Sequence, residues 1–163
     1  MACRTERGMT DPTAPGLEFV FRIEAEIERP RSAGASRTGE RLHIPIIGGR
    51  VEGSRLHGHV LPGGSDWPVI GADGNSRIEA HYTIEADDGT LIYVVNKALR
   101  VSTPDVTARL RAGEVVAPGD YYMRGSPVFD APDGPHEWLR ENVFVCSIAP
   151  KGLAVVIDVF QIT

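Results

Sequence analysis

Cysteine is scarce in this chain, and long hydrophobic runs are absent. Only two of the 163 residues are cysteine, Cys3 in a polar segment and Cys146 in an apolar one. Such a pair gives no disulfide framework, and free thiols favour a cytoplasmic location. No apolar run approaches the roughly 20 residues that span a bilayer, so we expect no membrane-spanning helix. Residues 1–16 also lack the apolar core of a signal peptide.

Basic residues are outnumbered by acidic ones. The chain has 17 lysines and arginines against 22 aspartates and glutamates, which gives a net charge of -5. Proteins that bind nucleic acid usually carry a basic excess, because most of their affinity comes from phosphate contacts. We therefore expect no nucleic-acid partner and no general phosphate-binding surface.

The length and composition favour one folded domain after a short tail. Residues 1–16 are polar and contain proline and glycine, so they are predicted to be a disordered lead-in, and Met9 is an alternative translation start. Residues 17–163 are sufficient for a single domain. The chain contains 18 glycines and 12 prolines, which predicts a fold rich in turns.

Alternation of apolar and polar residues dominates the domain and predicts β-strands. Residues 17–27 form a long half-buried strand by this pattern. Residues 77–96 form a hairpin around Asp88-Gly89, because glycine accepts the positive φ of a tight turn. Segment 30–39 is polar and is predicted to be a loop. Further extended segments are expected at 42–47, 51–60, 121–124, 127–129, 143–148 and 153–162, the last two forming a closing hairpin.

Helical signals are confined to short segments. Thr103, Pro104 and Asp105 provide an N-cap, a first-position proline and a first-turn acid, so a helix is predicted from there to Arg111. A single helical turn is expected at 135–140. Eight to ten short strands without β-α-β alternation predict an all-β fold, either an antiparallel barrel or a strongly bent sandwich. A small closed barrel can hold one small ligand in its mouth.

Histidines are the first candidates for chemistry. His57 and His59 share one strand face in this interpretation, and a His-x-His pair can bind a metal when a neighbouring strand adds a ligand. His81, Asp66 or Glu79 could complete such a site. The alternative is a polar face of solvent-exposed or hydrogen-bonded histidines. A lone His-x-His is a weak signal, so we assign no metal.

The loop before Trp67 is a second candidate. Pro62, Gly63 and Gly64 specify a tight turn, and Asp66 and Trp67 follow directly. An aromatic face beside a carboxylate suits a small ligand. Equally, Asp66 could cap backbone N–H groups while Trp67 closes the barrel end. The segment lacks the lysine and hydroxyl residue of a phosphate loop.

Arg124 is a third candidate, because it lies among Tyr122, Phe129 and small residues. The planar guanidinium can donate two parallel hydrogen bonds to a carboxylate or an enolate oxygen. The alternative is an ion pair with Asp66, Asp87 or Asp88. In the segment 136–142, Trp138 is expected to anchor a loop in the core.

Five segments occur in an order that resembles a known family. They are PIIGGRVEG, LHGHVLPGGSDW, HYTIEADDGTLIYV, YYMRGSPVF and EWL, and together they span residues 45–139. The chain resembles the DUF3237 family, also called UPF0311, over about residues 17–163. The resemblance implies a compact antiparallel β-barrel, lipocalin-like in shape, and many members are bacterial. It implies a fold rather than a reaction.

Three positions depart from the family pattern. His81 stands where an arginine is expected, His59 where an acidic or other polar residue is expected, and Arg140 where an asparagine is expected. A histidine that titrates near pH 7 could act as a base where an arginine could not. The chemistry of this chain could therefore differ from that of its relatives.

These observations lead to a functional hypothesis with two alternatives. We expect a cofactor-independent enzyme that uses acid–base chemistry on an aromatic or polyketide-like compound, as an isomerase, cyclase, lyase or hydrolase. Asp66, His81 and Arg124 are the predicted catalytic residues. The predicted ligand-binding residues are His59, Trp67, Tyr82, Asp88, Tyr93, Tyr122, Phe129 and Trp138. The alternatives are a non-catalytic barrel that binds a small ligand and a structural domain without a pocket. A homodimer is compatible with the sequence, because two-fold dimers are the commonest soluble oligomers.

Overall fold

Strands make up most of the structure, a computed structural model that describes residues 11–163. One α-helix, α1, covers Pro104–Arg111, and single 3-10 turns cover Pro118–Asp120 and Glu137–Leu139. The strands are β1 (Leu17–Ile27), β2 (Arg31–Ser36), β3 (Gly39–Gly53), β4 (Gly58–Val60), β5 (Gly64–Asp66), β6 (Val69–Ile70), β7 (Ser76–Ala86), β8 (Leu91–Val101), β9 (Tyr122–Asp130), β10 (Phe144–Lys151) and β11 (Ala154–Ile162).

The strands close into an antiparallel barrel. Neighbours follow the order β1, β11, β10, β9, β8, β7, and then the short strands β4, β5 and β6, which share one position between β7 and β3. Pairing of β3 with β1 closes the ring of eight positions. Strand β2 lies outside this ring and pairs with the N-terminal part of β3, from Gly39 to His43. The all-β barrel with one short helix, predicted from the sequence, is confirmed. Within residues 11–163, no helix has the length and apolar character needed to cross a membrane.

Glycine is required where β3 meets β1. Gly49 has φ +138°, and a Cβ there would lie 2.2 Å from the Glu24 carbonyl oxygen. A side chain would therefore collide with the backbone of β1 and would adopt a conformation that L-residues avoid. The pairing register shifts between Glu26 and Ile27, opposite this segment. Gly49 thus allows β3 to approach β1 closely enough for the barrel to close.

Several local predictions are confirmed. The hairpin around Asp88-Gly89 is formed by β7 and β8, and β10 and β11 form the closing hairpin. The Thr103 hydroxyl accepts a hydrogen bond from the Val106 N–H at the start of α1, which ends at Arg111 as expected. The turn at Glu137–Leu139 also falls inside the predicted segment.

Other local predictions are wrong. The polar segment 30–39 contains β2, whose residues are all exposed and therefore carry no alternating apolar signal. Strand β3 is one continuous strand of 15 residues, where two segments separated by a turn or bulge at Gly48-Gly49 were expected; the register of its pairing with β1 shifts next to Gly48. His57 lies outside β4, and the two pieces expected around 121–129 are one strand, β9. The predicted tail falls partly outside the described residues and stays a prediction; Gly16, at its end, pairs with Thr163 through two backbone hydrogen bonds.

The barrel interior differs between its two ends. At one end, the rings of Phe21, Phe129, Phe144 and Trp138 meet edge to face with centroids 5.2–6.4 Å apart. The Arg55 guanidinium lies 3.8 Å from the centroid of the Trp138 ring. These side chains are packed as a dry core, in which edge-to-face aromatic pairs are favourable. We call this the closed end, and the opposite end contains the cavity.

Candidate functional site

A cavity of about 590 Å³ occupies the open end of the barrel. The C-terminal part of α1 covers one side of it. Most of its lining residues are apolar, but polar groups contribute nearly half of its surface, from Asp66, Ser76 and Arg100 and from Arg29 and Arg111 among others. The aliphatic lining residues are Ile27, Leu42, Ile44, Ile70, Ile78, Leu110, Leu153 and Val155. This volume and this composition are typical of sites that bind small molecules.

Asp66 is the acidic residue of the cavity lining. It ends β5, where it pairs with Ile44 of β3 and Ala80 of β7. Strand β5 can lie close against β7 because Gly64 has no side chain; a Cβ there would be 2.6 Å from the Tyr82 Cβ. The glycines before Asp66 therefore allow a short strand to place a carboxyl group on the inner face of the barrel. The Asp66 Oδ1 atom is buried and has no hydrogen-bond partner in the described protein.

Burial dominates the electrostatics of this carboxyl group. It raises the pKa of Asp66 from its ordinary 3.8 to about 6, because a desolvated carboxylate is disfavoured. Hydrogen bonding from the Trp67 backbone and the positive charge of Arg100 act in the opposite direction. Part of Asp66 faces the cavity, so the surrounding protein excludes bulk water while a ligand could still reach the group. A carboxyl group with such a pKa exchanges protons near neutral pH.

Arg100 was missed by the sequence analysis. It lies near the end of β8 opposite Ser76, and its Nη2 atom donates a hydrogen bond to Ser76 Oγ over 2.8 Å. Its Nε atom is buried without a partner in the described protein. Desolvation lowers the pKa of Arg100, although arginine stays protonated in proteins. The sequence does contain a signal for the inward orientation of Arg100, because Ile92, Val94 and Asn96 begin an alternation of inward-facing residues that continues to Arg100.

Unpartnered buried polar atoms are concentrated around these two residues. Within residues 11–163, five buried side-chain nitrogen or oxygen atoms have no hydrogen-bond partner. Two belong to Asp66 and Arg100, and two are the hydroxyls of Tyr82 and Tyr121. Tyr82 interacts electrostatically with Asp66, and Tyr121 with Arg100. Because buried polar groups are normally satisfied, this concentration indicates a functional region.

The other two predicted catalytic residues lie on the outer face of the barrel. His81 Nδ1 is 2.6 Å from the Tyr93 hydroxyl, and His81 Nε2 is 3.0 Å from Glu79 Oε1. Arg124 is exposed, and its guanidinium carbon is 5.4 Å from the centroid of the Tyr122 ring. Side chains alternate between the two faces of a strand, so neither residue shares the face of Asp66. The structure therefore does not bring Asp66, His81 and Arg124 together.

The predicted ligand-binding residues on the outer face are also separated from the cavity. His59 Nε2 lies 3.6 Å from Glu85, and the Trp67 ring stacks on His43 at 4.2 Å. Asp88 lies in the β7–β8 turn, where it accepts hydrogen bonds from the Thr90 N–H and His136. Tyr93 and Tyr122 pair with His81 and Arg124 as described above.

The remaining predicted ligand-binding residues are internal. Phe129 and Trp138 belong to the aromatic cluster at the closed end. Tyr82 faces the interior between Asp66 and Cys146, and burial raises the pKa of its hydroxyl. Of the residues predicted to bind a ligand, Tyr82 is thus the one whose hydroxyl interacts with Asp66.

The described part of the chain contains no cluster of side chains that supports the metal-binding alternative. Residues 11–163 contain no group of three or more His, Cys, Asp or Glu side chains arranged to hold a metal ion. His57 and His59 are exposed, and the nearest acidic group to His59 is that of Glu85. This pair therefore lacks the third ligand that the hypothesis required.

Fold and cavity together define a closed antiparallel barrel with a cavity at its open end. The model of the family described as "Protein of unknown function (DUF3237)" matches residues 15–162, and the chain belongs to this family. A UPF0311 protein of Rhodopseudomonas palustris is 40% identical over 150 residues, which cover 91% of this chain and 98% of that protein.

Solved structures show the same fold. A conserved protein of unknown function from Rhodopseudomonas palustris has a TM-score of 0.87 at 37% identity, covering 94% of this chain and 100% of that one. A β-barrel-like protein from Acinetobacter baumannii has a TM-score of 0.83 at 30% identity, covering 95% and 100%.

A fungal enzyme is a more distant relative. The hydroalkoxylation enzyme of Penicillium herquei is 33% identical over 87 residues, which cover 53% of this chain and 58% of the enzyme. A solved enzyme structure from the same fungus has a TM-score of 0.70 at 22% identity, covering 94% of this chain and 98% of that one, which is a likeness of fold.

Proposed function

We propose that this protein catalyses an acid–base reaction on a small organic molecule in the cavity, with Asp66 as the proton-transfer group. The observation that carries the proposal is a largely buried carboxyl group, one oxygen of which has no hydrogen-bond partner in the described protein, among the residues that line the cavity. The pKa of about 6 supports it, because both protonation states are then accessible near neutral pH. This proposal retains Asp66 from the sequence prediction and does not assign the chemistry to His81 or Arg124.

The fungal relative suggests a reaction class. Hydroalkoxylation adds the O–H bond of an alcohol or phenol across a carbon–carbon double bond. A carboxylic acid can donate a proton to one carbon while the oxygen bonds to the other, and the carboxylate then takes the hydroxyl proton. The C=C π bond and the O–H bond break, C–H and C–O bonds form, and the catalyst is regenerated. One carboxyl group such as Asp66 is sufficient for both transfers.

The cavity also suits the predicted kind of substrate. Aliphatic walls favour an apolar skeleton, and the volume is within the roughly 300–1,000 Å³ of small-molecule sites. An aromatic or polyketide-like compound that carries a hydroxyl and an alkene meets both requirements. We retain the cytoplasmic location and the homodimer as expectations of this proposal.

The proposal can be tested with 2-(3-methylbut-2-enyl)phenol and related hydroxyaryl alkenes and enones in D₂O. We expect the wild type to convert at least one compound and to introduce one deuterium on carbon per turnover. Asp66→Asn should lower the rate at least 100-fold. Asp130→Asn removes an exposed carboxyl group on β9 and is the matched control. Conversion by Asp66→Asn at the wild-type rate would refute the role of Asp66.

The second candidate function is a binding barrel, favoured by the same cavity. It predicts that a ligand raises the melting temperature but is recovered chemically unchanged and free of deuterium. Stabilisation by several compounds without deuterium in any of them would support this alternative over catalysis.

A further inference from the structure

Arg100 is a partly buried cation on the cavity lining, and its hydrogen-bonding capacity is only partly used. Its Nη2 donates a hydrogen bond to Ser76 Oγ, its buried Nε has no partner, and its Nη1 makes no hydrogen bond among the described residues. No hydrogen bond or ion pair within 4.0 Å joins Arg100 to Asp66 in the described residues. A guanidinium in this state is suited to an anionic oxygen, because charge-assisted hydrogen bonds are the strong ones.

The charges around the cavity leave a positive excess. Arg111 forms two hydrogen bonds with the Glu40 carboxylate, at 2.8 and 3.0 Å, so its charge is balanced. Arg29 and Arg100 remain as cations, and Asp66 is the acidic residue of the lining. With Asp66 ionised, the lining has a net charge of about +1, and with Asp66 protonated it has about +2. The complementary ligand is therefore an organic anion.

The lining also places a polar region, formed by Arg100 and Ser76, directly beside an apolar one, since Ile70 pairs with Ser76. Arg100 and Ser76 adjoin each other on neighbouring strands β8 and β7. Isoleucines from β3, β6 and β7 form an apolar wall, and α1 adds Leu110. A ligand with one anionic group and an apolar skeleton can satisfy both regions without leaving a buried polar group unpaired.

We propose that the substrate is an organic monoanion whose carboxylate, phenolate or enolate oxygen binds Arg100 and whose apolar skeleton lies against the aliphatic walls. This inference deepens the proposed function, on which it rests for placing the substrate in the cavity. It gives Arg100 the role that the sequence analysis had assigned to Arg124.

The matched probes are 2-naphthoate and 2-naphthamide, which have nearly the same shape and differ in charge. Isothermal titration calorimetry at pH 7.5 should show that the wild type binds 2-naphthoate at least tenfold more tightly than 2-naphthamide. Arg100→Gln should remove this preference and leave the affinity for the amide within about twofold. Arg100→Lys should retain part of it, because the charge remains while the planar fork is lost.

Arg124→Gln is the matched control, since it makes the same chemical change on the outer face and should leave both affinities unchanged. Circular dichroism and thermal melting of each variant separate a loss of binding from a loss of folding, and Arg100→Lys carries the test if Arg100→Gln does not fold. Equal affinities for the two probes in the wild type, including no measurable binding of either, would overturn the inference. A preference that survives in Arg100→Gln would also overturn it. An anion preference that depends on Arg100, without deuterium incorporation, would refute catalysis and leave Arg100 as the anion-binding group of a binding barrel.

Discussion

Replacing Asp66 by asparagine should stabilise the protein above pH 6. In the unfolded chain this carboxyl group ionises near its ordinary pKa of 3.8, whereas in the folded protein its pKa is about 6. Between these values the folded state holds a proton that the unfolded state has lost, so the free energy of unfolding falls as pH rises. Asparagine has no proton to lose and avoids this decrease.

The size of the effect follows from the two pKa values. Each pH unit between 3.8 and about 6 corresponds to about 1.4 kcal/mol, so the full difference is about 3 kcal/mol. Arg100 attracts the carboxylate, but the raised pKa means that the cost of burial exceeds this attraction. Asp66→Asn should therefore exceed the wild type in stability by about 3 kcal/mol at pH 7.5, and the difference should shrink toward pH 4.5.

Urea unfolding at pH 4.5, 6.0 and 7.5 measures this directly. The two tryptophans, Trp67 and Trp138, provide the fluorescence signal. Asp130→Asn makes the same chemical change at an exposed position and should change the free energy of unfolding by less than about 0.5 kcal/mol. An Asp66→Asn protein that is less stable than the wild type at pH 7.5, or whose advantage does not depend on pH, would refute the reasoning.

Three further predictions concern the barrel wall and interior. Burial raises the pKa of the Cys146 thiol to about 11, so in a Cys3→Ser background we expect Ellman's reagent at pH 8 to react only after unfolding; rapid reaction of the native protein would contradict this. Gly49→Ala should lower the free energy of unfolding, measured in urea, by about 3 kcal/mol, because the added Cβ clashes with β1. Gly48→Ala is the control and should cost less than about 1 kcal/mol, because its Cβ would be 3.6 Å from a flexible carboxylate. Equal effects of the two substitutions would show that β1 and β3 tolerate a side chain at Gly49. Tyr82→Phe removes a buried hydroxyl without a partner and should be neutral or stabilising by up to about 1 kcal/mol in thermal and urea melts, and a large loss of stability would reveal an interaction of that hydroxyl.

The sequence is informative where local chemistry determines the structure. The Asp88-Gly89 turn and the capped start of α1 were both predicted correctly, because each depends on residues within a few positions of one another. Strand β2 was missed because it is exposed on both faces and is stabilised by backbone pairing with β3. Backbone pairing leaves no pattern of apolar residues in the sequence.

The candidate site was only partly accessible from the sequence. Asp66 was identified from its loop, but the partners chosen for it lay on the other face of the sheet. Short strands such as β5 have too few residues to show which face is inward, so the orientation of Asp66 relative to His81 could not be read from alternation. Arg100 could have been found, because β8 is long enough for its inward face to be followed from Ile92.

The aromatic cluster at the closed end has a kinetic consequence for the proposed reaction. Because Phe21, Phe129, Phe144 and Trp138 fill that end, we expect substrate and product to share the open end, beside α1. A product must therefore leave before the next substrate enters, and the two compete for one passage. Steady-state kinetics should then show competitive inhibition by product, and long substrates should be tolerated only when their extra length projects outward past the helix.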